Sequence, residues 1–262
     1  MEFDFKENAL KGQTVLVAGG TGGLGSAVAA LLARDGARIL VGHCQDEERA
    51  EQLKKAIYDA YNVEISLIEG DLAKAETRRR WVAAADRLGE GIYGLVCATG
   101  DPGRVKFEEV TEADLHDSFD RNYVQPLLLA REAARAMQSR KIPGTVVFFS
   151  TMQAVYPFEL SVNYAGPKIA LTQVARILAK QWGGPGGIRV NVVAPGVNRA
   201  GMALQSIASG KYDVFVEKGI IPRFGRAEDV ARVVRLMVEP DNYLTGQIIT
   251  VDGGLTLRKD IG

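Results

Sequence analysis

The sequence predicts an α/β fold, in which a doubly wound parallel sheet of seven strands carries helices on both faces. The main observation is alternation, because short apolar runs and amphipathic helical segments follow each other along nearly the whole chain. A second observation is length, since 262 residues suit one large domain with a substantial core. The sequence shows no repeat, low-complexity stretch or linker, so we predict a single domain over residues 1–262.

The predicted strands are short runs rich in branched and aromatic residues, as strands buried on both faces require. They cover residues 14–18, 38–42, 63–68, 94–98, 145–150, 189–194 and 247–251. The predicted helices carry apolar residues three and four positions apart. They cover residues 24–34, 46–61, 74–88, 112–139, 163–182 and 227–238. Pro167 is expected in the first turn of its helix, where a missing N–H is tolerated.

The composition excludes several classes of function. Lysine plus arginine and aspartate plus glutamate both number 32, so no basic surface for nucleic acid or anionic lipid is predicted. Residues 1–11 are charged and no run reaches the ~18 apolar residues of a membrane span, so we expect a cytoplasmic protein without a secretory signal. Cys44 and Cys97 end apolar runs and are expected to be buried free thiols. The only histidines are His43 and His116, so we predict no metal site.

The segment that follows the first predicted strand is rich in glycine. Residues 18–25 read Ala-Gly-Gly-Thr-Gly-Gly-Leu-Gly. A strand, a glycine loop and a helix in this order place a pyrophosphate on the helix N-terminus, and the glycines let the backbone approach the phosphates. One register of the fingerprint begins at Gly20 and the other at Gly19, and a flexible loop without a ligand is the alternative. The loop therefore predicts dinucleotide binding.

Tyr164 and Lys168 stand four positions apart at the start of a predicted helix and so share one face. A lysine ammonium beside a tyrosine favours the phenolate and lowers the tyrosine pKa from about 10, which suits proton transfer near neutral pH. Thr151 ends an apolar run thirteen residues earlier, and its hydroxyl could hydrogen-bond a substrate carbonyl oxygen. Ser150 is the alternative to Thr151 for this role. Adjacent strand residues face opposite sides of the sheet, so only one of the two hydroxyls can point toward Tyr164. An ordinary surface pair is the alternative for the tyrosine and the lysine.

Taken in order, these motifs resemble the short-chain dehydrogenase/reductase family nearly end to end, with 3-oxoacyl-ACP reductases and related carbonyl reductases nearest. The family loop Thr-Gly-x-x-x-Gly-x-Gly corresponds to residues 18–25, and its Tyr-x-x-x-Lys corresponds to Tyr164 and Lys168. Its Pro-Gly pair after the sixth strand corresponds to Pro195 and Gly196. The resemblance implies a Rossmann fold and hydride transfer between a nicotinamide cofactor and a carbonyl carbon.

The resemblance also implies the site residues. The catalytic residues would be Asn122, Thr151, Tyr164 and Lys168. The cofactor-binding residues would be Gly19, Thr21, Gly22, Gly23, Leu24, Gly25, His43, Asp71, Leu72, Gly100, Tyr164, Lys168, Pro195, Gly196 and Val197. Tyr164 would give the proton, Thr151 would hold the substrate oxygen, and Lys168 would tune Tyr164 and bind the ribose. Asn122 would support a water chain to Lys168, although an ordinary polar helix residue is the alternative. Asp71 could instead be a helix N-cap.

Several positions depart from the family pattern. Ala18 replaces the threonine that tethers the glycine loop, and residues 97–100 read Cys-Ala-Thr-Gly where Asn-Asn-Ala-Gly is usual. Ala200 stands where a threonine often contacts the nicotinamide amide. The side chains usual at residue 18 and at residues 97–99 mainly brace loops, so these departures affect positioning more than chemistry, whereas Ala200 removes one anchor for the nicotinamide.

Cofactor preference is expected to depend on the end of the second strand. Members that prefer NAD usually carry an acid there, whereas this chain has His43, so repulsion against a 2′-phosphate is absent. NADP(H) is therefore favoured and NAD(H) is the alternative, since Gly22 and Cys44 offer no cation and His43 could simply be a solvated loop residue. The predicted function is an NADP(H)-dependent oxidoreductase that interconverts a ketone and a secondary alcohol. The alternatives are an NAD-dependent alcohol or sugar dehydrogenase, and a nucleotide-binding sensor without turnover.

The substrate is expected to be a small carbonyl or alcohol, or an acyl thioester, under a glycine-containing mobile loop at about 197–221. Apolar residues should frame the pocket unless they are core or subunit contacts: Met152, Val155, Tyr156, Phe158, Met202, Leu204 and Ile207. A basic group could meet an acyl carrier protein or simply be solvated: Arg131, Arg135, Arg140 and Lys141. We also predict a homotetramer, built on helices 112–139 and 163–182 and on the last strand with the tail after Gly254.

Overall fold

The structure is a computed structural model that describes residues 8–103, 105–159 and 161–257. The predicted charged segment 1–11 and the predicted tail interface after Gly254 lie partly outside the described residues.

Within the described residues, seven parallel strands form one sheet. They are β1 Thr14–Ala18, β2 Arg38–His43, β3 Ser66–Glu69, β4 Ile92–Cys97, β5 Thr145–Phe149, β6 Arg189–Pro195 and β7 Ile248–Val251. Their order across the sheet is β3-β2-β1-β4-β5-β6-β7, so the connections change direction between β1 and β4. In open sheets of this kind, ligands bind beyond the carboxyl ends of the strands at that switch point.

Helices cover both faces of the sheet. They are α1 Gly23–Arg34, α2 Glu47–Tyr61, α3 Ala75–Arg87, α4 Glu112–Phe119, α5 Gln125–Arg140, α6 Val162–Trp182, α7 Leu204–Ala208, α8 Asp213–Glu217 and α9 Ala227–Val238. One buried cluster takes residues from α3, α5 and α6, including Trp81 and Leu171. The other takes residues from α1, α2 and α9, including Val28, Ile57 and Val234. The predicted doubly wound α/β fold is therefore confirmed.

The predicted helix at residues 112–139 is wrong in one respect, because a π-helical turn at Asp120–Val124 separates α4 from α5. Gln125 N–H donates to the carbonyl of Asp120, five residues back. Pro126 follows in the first turn of α5 and has no N–H with which to continue the regular ladder. Extra residues of this kind in helices are frequent at functional sites, and Asn122 lies within this one.

The predicted position of Pro167 is also wrong. Helix α6 begins at Val162, so Pro167 lies beyond the first turn, inside the helix. The missing N–H of Pro167 would have donated to the carbonyl of Asn163, four residues earlier. The Ser118 hydroxyl of α4 donates to that carbonyl instead. A side chain from a neighbouring helix therefore satisfies the acceptor that the proline leaves open.

Of the two cysteines, only Cys97 matches its prediction. Cys97 is buried, and burial raises the pKa of its thiol to about 12. Cys44 is exposed, because β2 ends at His43 and Cys44 belongs to the turn beyond it. Partial desolvation and the nearby Asp71 carboxylate still raise the pKa of the Cys44 thiol.

Two further properties concern the described part of the chain. None of its helices combines the length and the apolar character that a bilayer crossing requires. Among the same residues, no three His, Cys, Asp or Glu side chains are grouped so that they could hold a metal ion.

Candidate active site

The glycine loop joins the end of β1 to the start of α1 and uses the register that begins at Gly19. Gly19 has a φ of +74°, a left-handed conformation that favours glycine. A Cβ on Gly25 would lie 2.3 Å from the Gly19 carbonyl oxygen, so the loop folds tightly on the helix. The helix begins at Gly23, and its N-cap Gly22 has no side chain to satisfy the first amides. The amide end of α1 is therefore suited to an anionic group.

The predicted substrate loop lies directly against this glycine loop. A Cβ on Gly23 would lie 2.2 Å from the Gly201 nitrogen and 2.9 Å from the Ala200 carbonyl carbon. Only glycine fits at position 23 with the two backbones this close. The structure thus brings the segment after β6 to the same edge of the sheet as the start of α1.

Tyr164 and Lys168 lie on the opening turns of α6, as predicted. The Lys168 Nζ atom is 5.8 Å from the centroid of the Tyr164 ring. Lys168 is buried, and it donates to the carbonyl oxygens of Thr99 at 3.2 Å and Phe149 at 2.9 Å. Burial lowers the pKa of Lys168 to about 8. Lys168 therefore ties α6 to the carboxyl ends of β4 and β5.

Asn122 braces the loop beside Lys168. Its amide group donates to the carbonyls of Asp101 at 2.9 Å and Ser118 at 3.0 Å, and its carbonyl accepts from the Asp101 N–H at 3.1 Å. A Cβ on Gly100 would lie 2.6 Å from Asn122 Oδ1 and 2.9 Å from Lys168 Nζ. The two polar groups therefore converge on Gly100, and Asn122 is a buried residue that is not on the helix surface.

The two hydroxyl candidates have different surroundings. The Ser150 hydroxyl donates to the Lys168 carbonyl at 3.3 Å and accepts from the Thr172 hydroxyl at 2.8 Å, so it packs β5 against α6. Among the described residues, the Thr151 hydroxyl accepts only from the Gln153 N–H at 3.3 Å, in the turn that follows the strand. Thr151 is thus the hydroxyl with hydrogen-bonding capacity left for a substrate.

Two buried polar side-chain atoms lie at or just beyond the carboxyl ends of β2 and β4, the strands that flank β1. His43 closes β2 and is only 4% exposed, so it is not a solvated loop residue. Within the described residues, its Nδ1 atom and the Oγ1 atom of Thr99 are buried and have no hydrogen-bond partner. Buried polar groups without partners are costly and uncommon in folded proteins. Together with the glycine cradle between them, these atoms fit a polar ligand such as a nicotinamide dinucleotide.

Asp71 lies in the turn that follows β3. Its carboxylate accepts from the Ala73 N–H at 2.9 Å, whereas the N-cap of α3 is Lys74. The alternative reading of Asp71 as the helix N-cap is therefore wrong. Leu72 is buried next to it.

The sequence analysis did not single out Trp81, whose ring packs against Gly42 in β2. A Cβ on Gly42 would lie 2.2 Å from the Trp81 ring, and the Trp81 indole donates to the Glu69 carbonyl at 3.2 Å. A glycine inside a strand often marks such a close approach, which was the available signal.

The predicted apolar pocket residues fall into two groups. Met152 belongs to a buried cluster with Val197 and Phe224, and Phe158 and Ile207 pack partly buried against it. The exposed group consists of Val155, Tyr156, Met202 and Leu204. Part of the predicted frame is therefore core, and the exposed group lies at the surface. Nearby, a Cβ on Gly196 would lie 2.6 Å from the Asp252 Cα, so Pro195-Gly196 lies tightly against the segment that follows β7.

Comparisons with known proteins agree with this architecture. A family model described as enoyl-(acyl carrier protein) reductase matches residues 18–256. Glucose 1-dehydrogenase from Gluconobacter oxydans is 28% identical over 251 residues, which are 95% of this chain and 94% of the relative. A 3-oxoacyl-[acyl-carrier-protein] reductase from Rickettsia conorii is 28% identical over 249 residues, or 95% and 98% of the two chains. A solved dehydrogenase/reductase from Sinorhizobium meliloti 1021 gives a TM-score of 0.84 at 27% identity, covering 95% of this chain and 97% of that one.

Proposed function

Because the chain belongs to the short-chain dehydrogenase/reductase family, we propose that it interconverts a ketone and a secondary alcohol with NADP(H) as cofactor. The observation that carries the proposal is the convergence of Lys168 and Asn122 on Gly100, with the Lys168 Nζ atom 5.8 Å from the centroid of the Tyr164 ring. Thr151 supports it, because its hydroxyl keeps donor capacity at the end of β5.

The chain's own residues supply the proton chemistry. A bound nicotinamide nucleotide would supply the hydride in reduction and accept it in oxidation. In reduction, the Tyr164 hydroxyl gives its proton to the substrate oxygen while Thr151 donates a hydrogen bond to that oxygen. In oxidation, the Tyr164 oxygen takes the proton back. General acid catalysis of this kind contributes roughly 10²–10⁴-fold in rate.

Lys168 supports this proton transfer through its position. An ammonium has three N–H donors, and the carbonyls of Thr99 and Phe149 use two of them. One donor therefore remains for the side of the site that carries Tyr164 or a ribose hydroxyl. Because the pKa of Lys168 is about 8, close to neutral pH, its ammonium group can exchange a proton with a water chain that Asn122 would support.

The preference for NADP(H) depends on His43. No carboxylate occupies the end of β2, and the His43 Nδ1 atom has no partner in the described part of the chain. We expect tighter binding of NADPH than of NADH in fluorescence titrations of the unmodified protein. His43→Asp should shift the preference toward NADH, since it places a charge against the 2′-phosphate and an acceptor near the ribose diol. Equal or tighter NADH binding by the unmodified protein would contradict this preference.

An NAD-dependent alcohol or sugar dehydrogenase is the second candidate. It is favoured by the lack of a cation at Gly22 and Cys44, and a relative named glucose 1-dehydrogenase fits it. A nucleotide-binding sensor without turnover is a third, which the altered segment 97–100 would permit.

The deciding experiment is a panel of ketones, secondary alcohols, sugars and a β-ketoacyl thioester, assayed with both nucleotides. Turnover of a ketone or alcohol with NADP(H) supports the proposal, and turnover of sugars with NAD only supports the second candidate. Tyr164→Phe is the control: we expect a loss of at least 100-fold in kcat with nucleotide affinity unchanged within a few-fold. If Tyr164→Phe kept more than a tenth of the kcat of the unmodified protein, Tyr164 would not be the proton donor.

We propose small molecules as the main substrates. The basic group that could meet an acyl carrier protein is largely paired already, since Arg131 and Arg135 both contact Glu132 and Arg140 contacts Asp86 at 2.7 Å. A cytoplasmic location also belongs to this proposal, and cell fractionation tests it.

A further inference from the structure

Thr99 is a position where this chain departs from its family and leaves a buried hydroxyl without a partner. It follows β4 in the segment that reads Cys-Ala-Thr-Gly at residues 97–100. Its Oγ1 atom is buried, and no described residue hydrogen-bonds to it. An unpaired buried hydroxyl costs free energy in the folded protein, so the position calls for an explanation.

Two other groups of Thr99, its carbonyl and its methyl, contact parts of the site. Its carbonyl oxygen accepts from Lys168 Nζ at 3.2 Å. Its methyl carbon would lie 3.1 Å from a Cβ on Gly19, so the methyl group packs against the first glycine of the loop. Thr99 therefore stands between Lys168 and the glycine loop, the two parts of the site that a dinucleotide would have to span.

The hydroxyl does not brace the glycine loop in this structure. The backbone joins the two segments instead, because the Ala98 N–H donates to the Ala18 carbonyl at 2.9 Å. Ala18 itself has no hydroxyl or other polar side-chain atom with which Thr99 could pair.

We propose that the Thr99 hydroxyl is a cofactor-binding group that donates a hydrogen bond to an oxygen of the ribose-phosphate part of the bound dinucleotide. The inference rests on the proposed function, because it requires nucleotide binding at this edge of the sheet. Thr99 is partly exposed and Gly100 after it is exposed. A side-chain rotation or a small shift of this loop on binding must bring the covered hydroxyl to the ligand.

The test is Thr99→Val, which removes the hydroxyl and keeps the shape of the side chain. Isothermal titration calorimetry with NADPH and with NADH should show affinity about three- to tenfold weaker, as the loss of one hydrogen bond predicts. The melting temperature without nucleotide should stay equal or rise, since the variant no longer buries an unpaired polar atom. Thr99→Ser should bind like the unmodified protein.

Thr14 offers a matched control. Its Oγ1 atom is also buried and has no partner among the described residues, but it lies at the start of β1, at the opposite end of that strand from the glycine loop. Thr14→Val should change the melting temperature in the same direction as Thr99→Val and leave both nucleotide affinities unchanged.

Three outcomes overturn the proposal. If the affinity of Thr99→Val for both nucleotides is within twofold of that of the unmodified protein, the proposed contact is refuted while the proposed function stands. An equal loss of affinity in Thr14→Val would mean that the effect is general and not a contact. If the unmodified protein binds neither nucleotide, the proposed function fails together with the inference. Should Thr99→Val not fold, the comparison of Thr99→Ala with Thr99→Ser carries the same test.

Discussion

At the residue scale, Lys168 is a buried cation whose pKa the fold lowers. Burial brings the pKa of Lys168 to about 8, whereas the unfolded chain keeps it near 10.5. Between these values the unfolded chain binds more protons than the folded one, so the contribution of Lys168 to stability improves as pH rises from about 8 to 10.5. Below about pH 8 the charge is retained in both states and its burial is a constant cost.

We therefore expect the stability difference between the unmodified protein and Lys168→Met to depend on pH. The difference should move in favour of the unmodified protein between pH 8 and pH 10, by up to a few kcal/mol. Thermal unfolding of both proteins from pH 6.5 to pH 10 measures it, and titrating groups that do not interact with Lys168 cancel in the comparison. A difference that stays constant with pH would show that the pKa of Lys168 is not lowered.

The adjacent hydroxyls of Ser150 and Thr151 should separate stability from catalysis. Thr151→Ala should lower kcat about 100-fold with little change in melting temperature, and Thr151→Ser should be mild. Ser150→Ala should lower the free energy of unfolding by about 1 kcal/mol, because Ser150 joins Lys168 and Thr172, and should affect kcat less. Steady-state kinetics and thermal unfolding on the three variants decide this assignment. A larger kcat loss at Ser150 than at Thr151 would reverse it.

At the element scale, helices α4 and α6 share a hydrogen bond that a proline makes necessary. The Asn163 carbonyl accepts from the Ser118 hydroxyl because Pro167 has no N–H to give. The same hydroxyl accepts weakly from Asn122 at 3.3 Å, so this contact also connects the π-helical turn to the start of α6.

We expect Ser118→Ala to lower the free energy of unfolding by about 1–3 kcal/mol, since the Asn163 carbonyl is then left without a donor. In a Pro167→Ala background the same change should cost clearly less, because the new N–H at position 167 can donate to Asn163. Denaturant unfolding of the two single variants and the double variant measures the coupling. Equal losses in both backgrounds would show that the proline and the serine act independently.

At the scale of the whole molecule, the apolar residues of α5 and α6 divide between core and surface. Leu129, Leu171 and Leu178 are buried under their own sheet, so they do not support an interface. On α6, however, Val162 and Ile177 are 54% and 52% exposed, with Ile169 between them at 49%. Their spacing of seven and eight residues places them along one face of the helix. This exposed apolar face favours association with a second copy of the chain.

We predict a homotetramer with a mass four times the 28.3 kDa of one chain. Light scattering after size exclusion measures the mass directly, and Ile169→Glu should reduce it by breaking one interface. Tyr58→Glu is the control, because Tyr58 is similarly exposed on α2, away from this face. A mass of one chain for the unmodified protein would refute assembly, and a mass of two chains would leave a single interface.

The sequence by itself determined the alternating strands and helices, the glycine loop and the placement of Tyr164 with Lys168. Each of these depends on local rules: side-chain periodicity, the freedom of glycine, and the four-residue repeat of a helix. Only the tertiary structure decided that Cys44 is exposed, that His43 is buried, and that Ser150 is committed to α6. It alone brought Ser118 to Asn163 across 45 residues of chain. These outcomes depend on which distant segments pack together, and no local pattern encodes the partner that a polar atom finds, or fails to find, on folding.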